Sequence, residues 1–357
     1  MDLSIASILT LDGVTNGAIY ALLALATVLV FAITRVIFIP QGEFVAYGAI
    51  TLAMLQGGNP VGSVWQRWGD LPGTVWLLLA VALLAVVIDL VQGYRRALPQ
   101  GQVWWSAAKT LAVPVAVFLV AWFAGPRAWP LWAQSLFTLA IVTPLGPLVY
   151  RLAYEKVADA SVLVLLIVSV GVHFALTGLG LVFFGAEGFR NPSFWDERFQ
   201  IGAMTLSGQT IIIFGATFVL MASLFVFFER TLRGKALRAT AVNRLGARLM
   251  GISTSGAGRL SMGLAAFIGA LSGLLIGPST TIFYDSGFLI GLKGFVAAIF
   301  GGLASYPAAA VGALFVGLLE SFGSFWASAF KEVIVFTLIL PVLLWRSFKH
   351  GHHDEEE

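Results

Sequence analysis

The sequence predicts an all-α membrane protein, a helical bundle of about 9–11 spans that includes one or two short or broken helices. Three observations carry this. Apolar runs of roughly twenty residues, the length that crosses a bilayer as a helix, recur along the whole chain. The chain is 59% hydrophobic and 11% charged, too little charge to clothe a soluble domain of 357 residues. Its longest basic stretch, 229–260, lies between two apolar runs, where a membrane loop is expected.

Taken in order, spans are expected near 13–34, 40–56, 72–91, 107–125, 131–150, 161–184, 209–228, 261–278, 289–304, 307–326 and 331–346. The segments 40–56 and 289–304 are short and Gly-rich, and broken helices are tolerated only where backbone is buried in protein or lines water. Residues 57–130 hold two apolar runs, TVWLLLAVALLAVVIDLVQ and AAKTLAVPVAVFLVAWFAG, joined by a polar linker with Arg95 and Arg96. They read as a helical hairpin, with Asp89 snorkelling to the interface and Pro114 interrupting the second run. Small residues recur every fourth position at Gly13, Gly17 and Ala21, at Gly269, Gly273 and Gly277, and at Ala309, Ala313, Gly317 and Ser321. Such ridges let helices approach closely where lipid gives no hydrophobic drive for association.

With the amino end outside and the carboxyl end cytoplasmic, fifteen Lys/Arg fall inside, five fall outside, and Lys293 stays within the membrane. That bias supports the orientation. The whole chain, 1–357, then forms one transmembrane domain in the cell's inner (plasma) membrane. The amino end, MDLSIAS, lacks a basic n-region, so no cleavable signal peptide is expected.

Composition also narrows the chemistry. Cysteine is absent, which excludes disulfides, thiol catalysis and thiolate metal sites. His350, His352 and His353 sit in a polar tail, and His173 stands alone in an apolar run, so no metal-ligand set is expected. No HExxH and no nucleophile–base spacing occurs in the spans, which argues against an enzyme. The basic residues border spans without interleaved stacking aromatics, so nucleic acid is not an expected partner.

Two groups of residues are candidates for work. Glu43, Lys293 and Glu320 lie in or beside apolar runs, where ionisable groups are costly and either pair or face a cavity. Pairing Lys293 with Glu320 or with Glu43 would fix helix register. Lining a path would suit a zwitterionic solute, whose carboxylate and ammonium need opposite partners. Tyr20, Tyr47, Asn16 and Asp285 are weaker candidates for the same path. GEFVAYGA at 42–49 and KGFVAAIFGG at 293–302 echo each other faintly, and would place Glu43 and Lys293 at corresponding ends of two interrupted helices. The second group is the basic loop, with Arg230, Arg233, Lys235, Arg238, Arg244, Arg248 and Arg259. Within it Arg238, Ala239, Thr240, Asn243, Arg244, Leu245, Leu249, Gly251 and Ile252 suit a short amphipathic helix and turn able to dock a soluble partner. The outer stretch GAEGFRNPSFWDERFQ reads either as an interfacial loop or as part of a docking face for an external protein.

Four stretches in order resemble the permease subunits of branched-chain amino-acid ABC transporters, the LivH type: residues 16–49, 150–154, 234–253 and 287–321. Where that family usually reads NFAHGE, this chain reads FIPQGE at 38–43, matching in Gly42 and Glu43. Against the family, 57–130 looks like an inserted hairpin, and an even number of added spans leaves the downstream topology unchanged. The resemblance implies an importer for branched-chain or other amino acids or related small polar solutes. It implies a second permease subunit, cytoplasmic ATPase subunits coupled through 229–260, and an external solute-binding protein. It implies no cofactor on this chain, with ATP used by the partners. Consistently, the one Gly-Lys pair, Gly234-Lys235, is followed by Ala rather than Ser or Thr, so no phosphate-binding loop is present. The alternative is an ion-coupled secondary transporter or channel using the same buried charges.

Overall fold

The computed structural model describes residues 3–57, 71–95, 99–201, 204–338 and 340–344. Arg67, Arg96, Arg346, Lys349 and the three tail histidines lie outside them. The fold is a helical bundle. Among the described residues, eight helices are long and apolar enough to cross a membrane.

Helix α1 (Leu3–Thr34) starts well before the expected residue 13. It ends where Arg35 takes a positive φ of 60°. Beyond it the chain is irregular through Pro40, which cannot donate a backbone hydrogen bond. Helix α2 (Gln41–Gly57) follows, almost wholly buried. Helices α3 (Gly73–Arg95) and α4 (Gln100–Phe123) form the expected hairpin. The two differ in role. Val75, Leu77, Leu78, Ala82 and Ala85 seat α3 in the main core, whereas most of α4 is exposed. Helices α5 (Leu131–Val142) and α6 (Leu145–Val149) run into a π-helical turn at Tyr150–Tyr154. Next come α7 (Val162–Phe184) and a small hairpin, β1 (Arg198–Ile201) with β2 (Met204–Ser207), before α8 (Gly208–Arg230).

The basic loop is itself helical: α9 (Leu232–Val242) and α10 (Arg244–Leu249). Helix α11 (Thr254–Ile276) begins earlier than the expected residue 261. The reason is local, since the Ser253 hydroxyl accepts from the Gly256 amide at 3.1 Å and caps the helix, drawing Arg259 into it. Helix α12 (Ser286–Phe300) is short, then α13 (Tyr306–Trp326) and α14 (Lys331–Thr337) complete the described elements.

Two of the small-residue ridges meet. Gly13 and Gly17 of α1 lie directly against Gly317 and Leu314 of α13, with backbone where a larger side chain would sit. Leu29 and Ile33, near the end of α1, pack with Leu237 of α9 and Ala257 of α11. The amino end of α1 therefore lies on the face opposite α9 and α10. The spans thread between these two faces, with Arg35, Arg151 and Lys156 at the basic face and Arg127, Arg190, Arg198 and Lys331 at the far one.

Helices α2 and α12 interrupt this threading. At 17 and 15 residues they reach about 25 and 22 Å, short of a 30 Å hydrocarbon core. Gly42 and Gly287, each the second residue of its helix, abut backbone to backbone. Gln41 Nε2 donates to the Ala265 carbonyl at 3.0 Å, about the middle of α11. The two helices thus begin against each other inside the bundle and run apart. Irregular backbone leads into both, and its polar groups need partners at that depth. Before α12, Phe189 and Ile282 exchange both backbone hydrogen bonds, at 2.9 and 2.8 Å. The expected pair of interrupted helices is present, but not in the register of the sequence echo. The echo aligns Phe44 with Phe295, whereas the helices meet at Gly42 and Gly287.

Candidate functional site: a buried charge cluster above a basic helical face

Lys293, at the middle of α12, is 5% exposed. Its ammonium lies 2.5 Å from Glu320 Oε1 on α13 and 3.0 Å from Glu332 Oε1 on α14. The Tyr20 hydroxyl of α1 donates to the other Glu320 oxygen, and its ring centroid is 5.8 Å from the Lys293 ammonium. One cation thus holds two carboxylates, and a neutral phenol satisfies one of the remaining oxygens. That pairing is what makes the charges tolerable at this depth.

The cluster is not sealed. It forms part of the wall of a cavity of about 710 Å³ with Asp12, Asn16, Ser279, Thr280, Ser321 and Lys331. Its wall includes residues from the amino-terminal half of α1 and the last turns of α13, so it faces away from α9 and α10. Charges of both signs, hydroxyls and apolar side chains such as Ile290 and Phe325 share the lining. Such a wall can hold an ammonium, a carboxylate and an apolar side chain at once.

Glu43 stands apart. It is 1% exposed in the first turn of α2, and its partner is His173 of α7, with Oε1 2.6 Å from Nδ1. The imidazole packs against Phe288 of α12 at 4.6 Å between centroids. The expected alternative pairing of Lys293 with Glu43 is therefore replaced by Lys293 with Glu320, while His173, alone in the sequence, closes on Glu43 from a distant helix. Asp285 is exposed just before α12 and is not in the cavity wall. Asn16 is in that wall. Tyr47 is buried and donates to the Leu176 carbonyl at 2.7 Å, a packing role.

On the basic face, the Asn243 side chain caps α10 by accepting from the Gly246 amide at 2.7 Å. Gly251, at φ 78°, ends it: the Ile252 amide bonds the Ala247 carbonyl at 3.0 Å and the Gly251 amide bonds the Arg248 carbonyl at 3.1 Å. This is a Schellman motif, and it explains the glycine. Arg238 and Arg244 both bond back to the body of the protein, Arg238 from an exposed position and Arg244 half-buried. Arg238 donates to Glu229 at 2.6 Å and to the Phe228 carbonyl at 2.8 Å, tying α9 to the end of α8. Arg244 donates to the Ala158 carbonyl at 2.8 Å. Exposed along the same segment are Ala239 and a set of large apolar side chains, Leu232, Val242, Leu245, Leu249 and Met250, the last two at 81% and 82%.

Several working contacts were hidden in the sequence. Glu332 and Asp12 join the charge cluster or its cavity, and Glu155 and Asp159 support the basic face, with Arg259 2.5 Å from Glu155 and Arg248 3.4 Å from Asp159. Asp89 pairs with Arg151 of the π-helical turn, which also donates to Thr110 at 2.5 Å. Only the fold brings these residues together, because each pair is separated by tens of residues.

Comparison with known proteins places this architecture. Residues 9–343 match the family described as branched-chain amino acid transport system / permease component. The permease protein BraD of a high-affinity branched-chain amino acid transport system in Pseudomonas aeruginosa is 29% identical over 241 residues, 65% of this chain and 78% of that one. The LivH permease proteins of Salmonella typhimurium and Escherichia coli are 25% and 26% identical, each over 93% of this chain and 91% of the relative. A helical membrane bundle with a polar cavity inside it, in a chain related to permeases over nearly its whole length, is the transport subunit of an ABC importer and not its ATPase. The chain belongs to the branched-chain amino acid transport permease family.

Proposed function

We propose that this chain forms half of the translocation path of an importer for branched-chain amino acids or closely related small zwitterionic solutes. The observation that carries the reading is the Lys293–Glu320–Glu332–Tyr20 cluster, because it meets a 710 Å³ cavity on the face away from the basic helices. In this reading the basic face is cytoplasmic, as the distribution of Lys and Arg favours. An external solute-binding protein delivers to the cavity side, and a second permease subunit completes the path. Cytoplasmic ATPase subunits grip α9 and α10 and supply the force. Docking rests on the exposed apolar row from Leu232 to Met250, with Arg238 and Arg244 holding that row rigidly to the spans. A rigid surface helix passes a partner's movement to the spans it joins. Within residues 57–130, helices α3 and α4 act as a hairpin added to the path-forming bundle.

The test is co-purification with the cognate ATPase, then uptake in proteoliposomes. Leu245→Asp with Leu249→Asp, both at exposed positions, is expected to abolish ATPase association while the chain remains folded. Gradient-driven uptake by the chain without any ATPase would overturn the reading.

A further inference from the structure

A second, smaller cavity of about 380 Å³ lies on the basic-face end of the bundle, between α8 and α13 over α1. Leu29, Met221, Leu224, Phe225 and Tyr306 line it, and Arg238 with Glu229 stands at its polar end. Above it α8 turns Phe218, Val219, Phe225 and Val226 outward, each more than half exposed, so the surface beside the groove faces the bilayer rather than water. The polar end is cationic. Arg230 and Lys235 are exposed near Glu229, the acid that pairs with Arg238 there. Arg238 spends two donors on Glu229 and the Phe228 carbonyl, which leaves guanidinium N–H groups for another oxygen acceptor.

We infer that this groove binds an anionic phospholipid, with an acyl chain along Leu29, Met221 and Phe225 and the phosphate at Arg238. Shape and charge agree on such an occupant: an apolar slot open sideways to lipid, closed by an excess of positive charge at headgroup depth. A neutral lipid would fill the slot and leave the cations unanswered. Free phosphate would answer the cations and leave the slot empty. Because Arg238 joins α9 to the end of α8, the headgroup touches the segment through which the ATPase is coupled.

Native mass spectrometry of the purified full chain, with phosphatidylglycerol and phosphatidylcholine of matched acyl chains, tests this. One guanidinium–headgroup contact contributes about 1 kcal/mol, so phosphatidylglycerol should be retained about fivefold over phosphatidylcholine. R238Q should erase that preference, R238K should keep it, and M221W should reduce retention of both lipids by filling the groove. A phosphatidylglycerol carrying a photoreactive acyl chain should label Met221 or Phe225 of the unmodified chain, whatever the folding of the variants. Equal retention of the two lipids, a preference that survives in R238Q, or labelling elsewhere would overturn the assignment. So would disulfide-linked permease dimers from F225C in native membranes, a clean readout because the chain has no cysteine, since another permease subunit would then cover the groove.

Discussion

Lys293 matters most at the scale of single residues. Removing it leaves Glu320 and Glu332 facing each other at low dielectric. K293M should therefore cost about 3–5 kcal/mol in denaturant unfolding in detergent, while E320Q should cost less because Glu332 still holds the ammonium. Equal losses would show that Glu332 does not hold the ammonium once Glu320 is neutral. Glu43 offers a parallel case. H173F strands a carboxylate that is 1% exposed, so it should destabilise, and adding E43Q should restore part of the loss. A double variant no more stable than H173F would rule out the pairing as the cause. The sequence shows that Glu43, Lys293 and Glu320 are unusual, since charge in an apolar run stands out unaided. It does not show their partners. His173 and Glu332 lie 130 and 39 residues from theirs, distances that no periodicity bridges.

Among elements, the meeting of α2 and α12 decides the architecture. Gly42 and Gly287 abut so closely that a Cβ at either would collide with backbone, and backbone cannot step aside as a flexible side chain does. G42V and G287V should each lower the yield of monodisperse protein sharply in size-exclusion chromatography. G215A, where nothing lies within 4 Å of the added carbon, should behave as the parent. Short Gly-rich segments at 40–56 and 289–304 were visible in the sequence as interrupted helices. That they start head to head was not, because the FVA echo pointed to a different register. The helix boundaries were missed where capping, rather than hydropathy, sets them: Ser253 starts α11 before the apolar stretch begins. The hairpin of residues 73–123 divides likewise. Its α3 is built into the core and its α4 is not, although both runs read alike as spans.

For the whole molecule, the two faces are chemically opposite: a polar cavity on one and a basic helical shelf with an apolar crest on the other. The absence of cysteine allows the orientation to be read directly. L245C on the shelf should react with a membrane-impermeant thiol reagent only after cells are opened, and S324C at the cavity should react in intact cells once the outer membrane is permeabilised. The reverse pattern would invert the orientation and, with it, the direction of import.

What the sequence determined by itself was the solvent this protein lives in, the approximate spans and the location of its basic face. These depend on local hydropathy and on charge summed over neighbours, quantities that the order of residues contains outright. The tertiary structure alone decided which charges meet, where the cavity lies and which side chains of the basic segment remain free. Those outcomes depend on close packing between helices distant in the chain, where an ammonium chooses a carboxylate by proximity and low dielectric rather than by sequence spacing.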